Sequence, residues 1–74
     1  MEIQEFIEKF AEAIEFEDVE YLTPVTEFHS LDDWSSISVM LTIAFFDEEF
    51  EKEIAGTDLK SMKTIQDLYD FAMK

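Results

Sequence analysis

The residues best placed to carry chemistry are two adjacent serines, Ser35 and Ser36, directly before an apolar stretch with helical spacing. Ser35 is predicted to be the N-cap of that helix, its hydroxyl accepting a backbone N–H of the first turn. Ser36 then becomes the first helical residue, where a phosphate ester would lie near free N–H groups and the positive end of the helix dipole. No neighbouring base is expected to activate Ser36 as a nucleophile. The pair therefore predicts either an acceptor site for an external enzyme or two simple cap residues.

The remaining inventory of reactive side chains is small. The chain has one histidine, His29, and no cysteine. This excludes disulfides, thiolate catalysis and cysteine-ligated metal, and it suits a reducing compartment. His29 lies in a predicted loop, where we expect a solvated side chain. There is no glycine-rich phosphate loop and no acidic calcium loop, so the sequence predicts a protein that is not an enzyme and holds no metal.

Charge and composition restrict the possible partners. Nineteen Asp and Glu against five Lys and Arg give a formal charge of −14. This charge opposes binding to nucleic acid or to an anionic membrane, both of which need clustered basic residues. The content of hydrophobic residues (47%) and of aromatic residues (15%) is too high for a disordered acidic tail. No apolar run reaches the roughly 18 residues of a membrane helix, and we expect a single cytoplasmic domain over residues 1–74.

Hydrophobic periodicity predicts two long helices separated by a long connection. Residues 2–15 carry one apolar stripe with acids on the opposite side. Pro24 opposes a helix through residues 16–35, which we interpret as a connection held against the core by scattered apolar side chains. The second helix is predicted over residues 36–53, with Gly56 as the residue that stops it.

The second helix carries more apolar residues than one buried face requires. The predicted core stripe consists of Val39, Ile43, Phe46 and Phe50. The residues that widen it are Ile37, Met40, Leu41, Ala44 and Phe45. Leu41 and Phe45 fit a core position and a contact position equally well. Such a helix is either central to the fold or offers an exposed apolar face to another molecule.

The C-terminal part of the chain predicts one short and one longer helix. Residues 57–62 fit a single helical turn, and Thr64 with Asp67 fits a capping box at the start of the last helix. The apolar stripe of that helix consists of Ile65, Leu68, Tyr69 and Ala72. The predicted fold is therefore all-α, a small three-to-four-helix bundle with a long first loop around one core.

Residues 31–50, LDDWSSISVMLTIAFFDEEF, resemble the acyl carrier proteins. In that family an Asp-Ser-Leu motif begins the second helix and an acidic Glu-Glu-Phe-like stretch ends it. Residues 35–37, Ser-Ser-Ile, take the place of the motif, and residues 47–50, Asp-Glu-Glu-Phe, follow at the family's spacing. The resemblance covers essentially the whole chain in helix order, length and acidity. Residues 22–24 and 28–31 look like the loop ahead of the modified serine, and residues 64–65 look like the start of the last helix.

The resemblance implies that Ser36 receives a 4′-phosphopantetheine arm, donated by coenzyme A through a phosphopantetheinyl transferase. The thiol of the arm would carry acyl groups as thioesters for fatty-acid, polyketide or related biosynthesis. Ser35 and Ile37 would flank the attachment site. The carrier would act as a monomer, and its acyl-processing partner enzymes would offer basic patches. The residues implied in partner recognition are Met40, Leu41, Ala44, Asp47, Glu48 and Glu51.

The chain departs from the family at two points. Ser35 replaces the usual Asp, which keeps the capping role and removes a charge, and residues 38–44 carry no acid. These departures favour a specialised pathway over the housekeeping fatty-acid carrier. The alternative is an acidic helical interaction module that binds a basic protein surface without covalent modification. In that case both serines only cap the helix, and partner affinity falls as salt rises.

Overall fold

The computed structural model describes residues 1–31 and 34–74, and these form an all-α bundle with a long first connection, as predicted. The four α-helices are α1 (Ile3–Ala13), α2 (Ser36–Phe50), α3 (Gly56–Ser61) and α4 (Ile65–Ala72). Two 3₁₀ turns, Val19–Tyr21 and Phe28–Ser30, interrupt the connection between α1 and α2. The described residues contain no β-strand.

Helix α1 places its apolar stripe in the core, because its apolar residues recur on one face. The fully buried members are Phe6, Ile7 and Phe10. The helix ends at a left-handed residue, Glu15 (φ 58°). The backbone N–H of Phe16 donates to the carbonyl of Ala11 at 2.8 Å. This closure satisfies a carbonyl of the last helical turn and directs the chain into the long connection.

The core is built around the ring of Phe6. Its centroid lies between 5.5 and 6.2 Å from five other aromatic rings. Those rings belong to Phe10, Phe45, Phe46, Phe50 and Tyr69. Because the rings come from α1, α2 and α4, Phe6 joins the three longest helices.

The long connection is held to the bundle by buried side chains and by backbone bonds. Leu22 and Phe28 are buried. The carbonyl of Pro24 accepts the N–H of Gln66 at 2.9 Å, and that of Thr26 accepts the N–H of Ile65 at 3.1 Å. Both donors belong to the first turn of α4, where backbone N–H groups have no partner within their own helix. The connection thus supplies hydrogen-bond acceptors for backbone N–H groups at the start of α4.

The buried face of α2 includes the predicted core stripe, whose four members lie in the core or pack against it, and it extends to further residues. Only Phe46 of the predicted set is fully buried, while Val39, Ile43 and Phe50 are half-buried. The residues that join Phe46 in the core are Ser38, Thr42 and Phe45. Both buried polar side chains have hydrogen-bond partners: the Thr42 hydroxyl donates to the Ser38 carbonyl at 2.8 Å, and Oγ of Ser38 accepts the N–H of Ser35 at 3.3 Å. Phe45 is therefore a core residue.

The end of α2 differs from the prediction, since the helix stops at Phe50 and not at residue 53. Glu51 takes the left-handed conformation (φ 53°), and its N–H donates to the carbonyl of Asp47 at 3.1 Å. Gly56, predicted to stop α2, is instead the first residue of α3. Gly56 has no positive φ, and a Cβ there would meet nothing within 4 Å. Its position does not require glycine.

We expect Glu51→Gly to stabilise the fold by about 1 kcal/mol, because glycine adopts positive φ without strain. The change also removes a carboxylate from the negative end of the α2 dipole. In a domain of this size the melting temperature would rise by roughly 4–8 °C, measurable by calorimetry. Glu53→Gly is the matched control, since it removes the same charge at a residue without positive φ. Equal stabilisation by both variants would show that charge alone is responsible.

The predicted cap of α4 is confirmed. The backbone N–H of Asp67 donates to Oγ1 of Thr64 at 3.3 Å. Oδ2 of Asp67 accepts the backbone N–H groups of Lys63 and Thr64 at 2.9 and 3.1 Å. The hydrogen bond from the backbone N–H of Lys63 has the largest effect and that from Thr64 the second largest. Together they hold the pKa of the Asp67 carboxyl below its usual range. The charged form of Asp67 therefore stabilises the start of α4.

We expect Asp67→Asn to be less stable than the original chain at neutral pH by about 0.5–1 kcal/mol, as for an exposed cap. Because the folded-state pKa is lowered, this contribution is present above the ordinary carboxyl pKa of 3.8 and is lost as pH falls through the folded-state pKa. The free energy of unfolding of both proteins can be measured by urea titration, and the difference between them should shrink as the pH falls from 7 to 3. Asp70→Asn removes a charge from the same helix without touching the cap, and a similar closing difference there would contradict the assignment.

Candidate functional site

Ser35 occupies the N-cap position of α2, as predicted. Its backbone is extended (φ −145°, ψ −179°), and its carbonyl accepts the N–H of Val39 at 3.1 Å. The N–H of Ser35 donates to Oγ of Ser38 at 3.3 Å. Ser36 is the first residue of the helix and is exposed. Its hydroxyl therefore lies at the positive end of the helix dipole and is accessible to another molecule.

The turn ahead of Ser36 is anchored by Trp34, which is partly buried. The indole packs against Phe28 and Phe10, with ring centroids 5.1 and 6.5 Å away. The N–H of Trp34 donates to the carbonyl of Leu31 at 3.0 Å. The sequence prediction named no role for Trp34, although a single tryptophan two residues before Ser36 was a usable signal. Its packing fixes where α2 begins.

The residues predicted for partner recognition share one face of α2, together with Ile37. We call this surface the outer face. Its members on the helix are Ile37, Met40, Leu41, Ala44, Asp47 and Glu48, and we include Glu51, which directly follows the helix end. Their spacing of three or four residues keeps them on one side of a helix. The side chains of Ile37 and Met40 are 65% and 69% exposed, while Leu41 is half-buried. The predicted positions on α2 thus share one face that begins beside Ser36 and runs to the other end of the helix.

The outer face is divided into an apolar half and an acidic half. No charged residue occurs between Ser36 and Phe46, and Asp47, Glu48 and Glu51 follow. Within the described part of the chain, the single ion pair joins Lys9 to Glu49 at 3.8 Å, and it lies outside this face. The carboxylates of the acidic half are therefore available to cations on a partner surface.

An open groove of about 430 Å³ lies between the outer face and the chain that leads into α3. Its apolar lining comes from Met40, Ile43, Ala44 and Ile54. Asp47, Lys52 and Glu53 supply its charged lining. A groove with this lining has room for a small apolar group and keeps charged residues beside it.

His29 is exposed in the long connection, as predicted, but its ring also bonds to a distant part of the chain. Nε2 of His29 lies 3.0 Å from the carbonyl oxygen of Leu59 and 3.2 Å from that of Met62. Both acceptors belong to α3 and its C-cap residue. The bonds join parts of the chain 30 and 33 residues apart, which no local sequence pattern indicates.

Residues 1–31 and 34–74 contain neither a candidate metal site nor a candidate membrane helix. No group of three or more His, Asp or Glu side chains there could hold a metal ion. None of the helices in this part of the chain is long and apolar enough to cross a membrane. Comparison of the chain with protein-family models, with curated proteins and with solved structures gave no match.

Proposed function

We propose that this chain is a carrier protein, not itself an enzyme, whose Ser36 bears a 4′-phosphopantetheine arm. The observation that carries the proposal is the exposed Ser36 hydroxyl at the first position of α2, where the outer face begins. The arm's phosphate diester would lie near the free N–H groups of the first turn, whose dipole favours an anion. The arm also supplies the reactive thiol that a cysteine-free chain lacks.

The outer face supports the proposal because it offers a docking surface next to the attachment site. Ile37 and Met40 would meet apolar side chains of a transferase or acyl-processing enzyme. Asp47, Glu48 and Glu51 would meet its Lys and Arg side chains. At a rise of 1.5 Å per residue, Ile37 and Asp47 lie about 15 Å apart along the helix. A partner enzyme would therefore need a basic patch at that distance from an apolar contact.

The uncharged first half of the face narrows the choice of partners. A transferase that relies on a carboxylate beside the modified serine finds Ser35 there instead. This favours enzymes of a specialised fatty-acid, polyketide or related pathway, in which contact near the arm is mainly apolar. We place the carrier in the cytoplasm, where a chain without cysteine has no need of an oxidising compartment.

The test is to incubate the purified protein with coenzyme A, Mg²⁺ and a broad-specificity phosphopantetheinyl transferase, and to measure its intact mass. We expect one phosphopantetheine adduct, which peptide mapping places on Ser36. Absence of an adduct with several transferases, and on protein from the native host, would reject the carrier function.

The second candidate is the acidic interaction module, favoured by the charge of −14 and by the exposed Ile37 and Met40 side chains. It predicts binding to a basic protein surface with no change in mass. Its affinity should fall steeply with salt because the attraction is between exposed charges. The mass measurement separates the two candidates.

A further inference from the structure

The short helix α3 receives hydrogen bonds from a side chain distant in sequence. Nε2 of His29 lies 3.0 Å from the carbonyl oxygen of Leu59 and 3.2 Å from that of Met62. A carbonyl oxygen can only accept, so Nε2 must carry the hydrogen and donate to both. The last carbonyls of a helix have no N–H partner four residues on within the helix, and here the Leu59 carbonyl otherwise accepts only the N–H of Met62, at 3.2 Å, among the described bonds. His29 therefore closes the C-terminal end of α3.

The imidazole is itself held in place by two aromatic rings. Its centroid lies 4.2 Å from that of Phe28, and Trp34 lies 5.7 Å away with its ring plane at 86°. Phe28 is fully buried, so the ring has a fixed neighbour in the core. The Nε2–H group of His29 therefore points in a defined direction, and the side chain loses little conformational entropy when it donates to α3.

Helix α3 has few other attachments. It contains six residues, of which Leu59 is buried. At its start, Oδ2 of Asp58 accepts the N–H of Ala55 at 3.1 Å, a bond within the same segment. An isolated helix of this length is unstable in water. Its position depends on contacts with the rest of the fold, and His29 provides polar ones.

We propose that His29 is a positioning residue that couples α3 to the rings of Phe28 and Trp34, which pack together ahead of α2. Through Phe28 and Trp34 the imidazole belongs to the same packed unit as the start of α2. The chain that leads into α3 carries Ile54 into the groove beside the outer face. By holding α3, His29 holds that wall of the groove at a fixed distance from α2.

Amide hydrogen exchange of the unmodified protein tests the coupling, so the test does not depend on the function of Ser36. The reporters are Met62, whose N–H donates to the carbonyl of Leu59, and Leu59, whose N–H donates to the carbonyl of Ala55. The internal reference is Leu68 in α4, whose N–H donates to the carbonyl of Thr64. His29→Leu removes the donor and keeps an apolar side chain against the rings. His29→Gln keeps an N–H donor at a similar reach.

In His29→Leu we expect the Leu59 and Met62 amides to exchange about fivefold faster relative to Leu68, as for loss of one hydrogen bond. His29→Gln should return both rates to within about twofold of the original chain. Three results would overturn the proposal. The first is that the Leu59 and Met62 amides exchange at unchanged rates in His29→Leu. The second is that the Leu68 amide is accelerated as much as they are. The third is that these amides exchange as fast in His29→Gln as in His29→Leu.

Discussion

Ser36→Ala should abolish attachment of phosphopantetheine, with no detectable adduct by intact mass under conditions that load the original chain. The expected loss is complete because, in the proposed carrier, the Ser36 hydroxyl oxygen would form the bond to the arm. The fold should persist, since Ser36 is exposed and alanine is a good residue for a first helical turn. Circular dichroism and thermal melting of the variant would confirm that only the modification is lost.

The neighbouring serines provide matched controls. Ser35→Ala should still accept the arm while losing about 1 kcal/mol of stability, because it alters the N-cap. Ser38→Ala keeps Ser36 and removes the hydroxyl that accepts the Ser35 N–H, so it should load as well. Loading of Ser36→Ala, or failure of Ser35→Ala alone, would move the attachment site to Ser35.

Phe6→Ala should destabilise the fold by about 3–5 kcal/mol, the usual range for removal of a buried phenyl group. The ring is fully buried and neighbours rings from α1, α2 and α4. A domain this small has a total stability of roughly 5 kcal/mol, so a large fraction of the variant would be unfolded. Urea titration followed by circular dichroism would measure the loss.

Two further substitutions serve as controls for the loss of stability in Phe6→Ala. Phe6→Leu keeps much of the apolar volume and should cost less than half as much, since the remaining cavity is smaller. Met40→Ala alters a side chain that is 69% exposed and should change stability by no more than about 0.5 kcal/mol. If Met40→Ala were as costly as Phe6→Ala, the outer face would have to be part of the core.

Local patterns predicted α1 and the start of α4 well, because a single rule decides each. In α1 the acids occupy one side, so the apolar period places Phe6 and Phe10 in the core without ambiguity. At α4, the side chains of Thr64 and Asp67 both serve backbone N–H groups close by in sequence. Neither prediction needed knowledge of the rest of the fold.

The buried face of α2 was predicted in part: the predicted stripe lies in or against the core, but the burial of Ser38 and Thr42 was not predicted. Ile37 and Met40 look like core residues by type, and Thr42 looks like a surface residue. Only the tertiary packing and the bond from the Thr42 hydroxyl to the Ser38 carbonyl decide which side is buried. The predicted contact set nevertheless shares one face, since helical spacing alone determines that.

The end of α2 and the contacts of α3 were not predicted, for a different reason. Glycine is the usual left-handed residue after a helix, so Gly56 was the natural choice to stop α2. The chain instead places Glu51 in that conformation, and nothing about a glutamate indicates this locally. The His29 bonds to α3 were equally hidden, because their donor and acceptors meet only in the folded chain.

The position of Trp34 gives the protein an optical reporter of its own. It is the only tryptophan and stands two residues before Ser36. Its indole is partly buried against Phe28 and His29, so its emission responds to polarity and to movement at the base of α2. Arrival of a charged group or a protein surface at Ser36 can therefore be followed by fluorescence in real time, with no label attached.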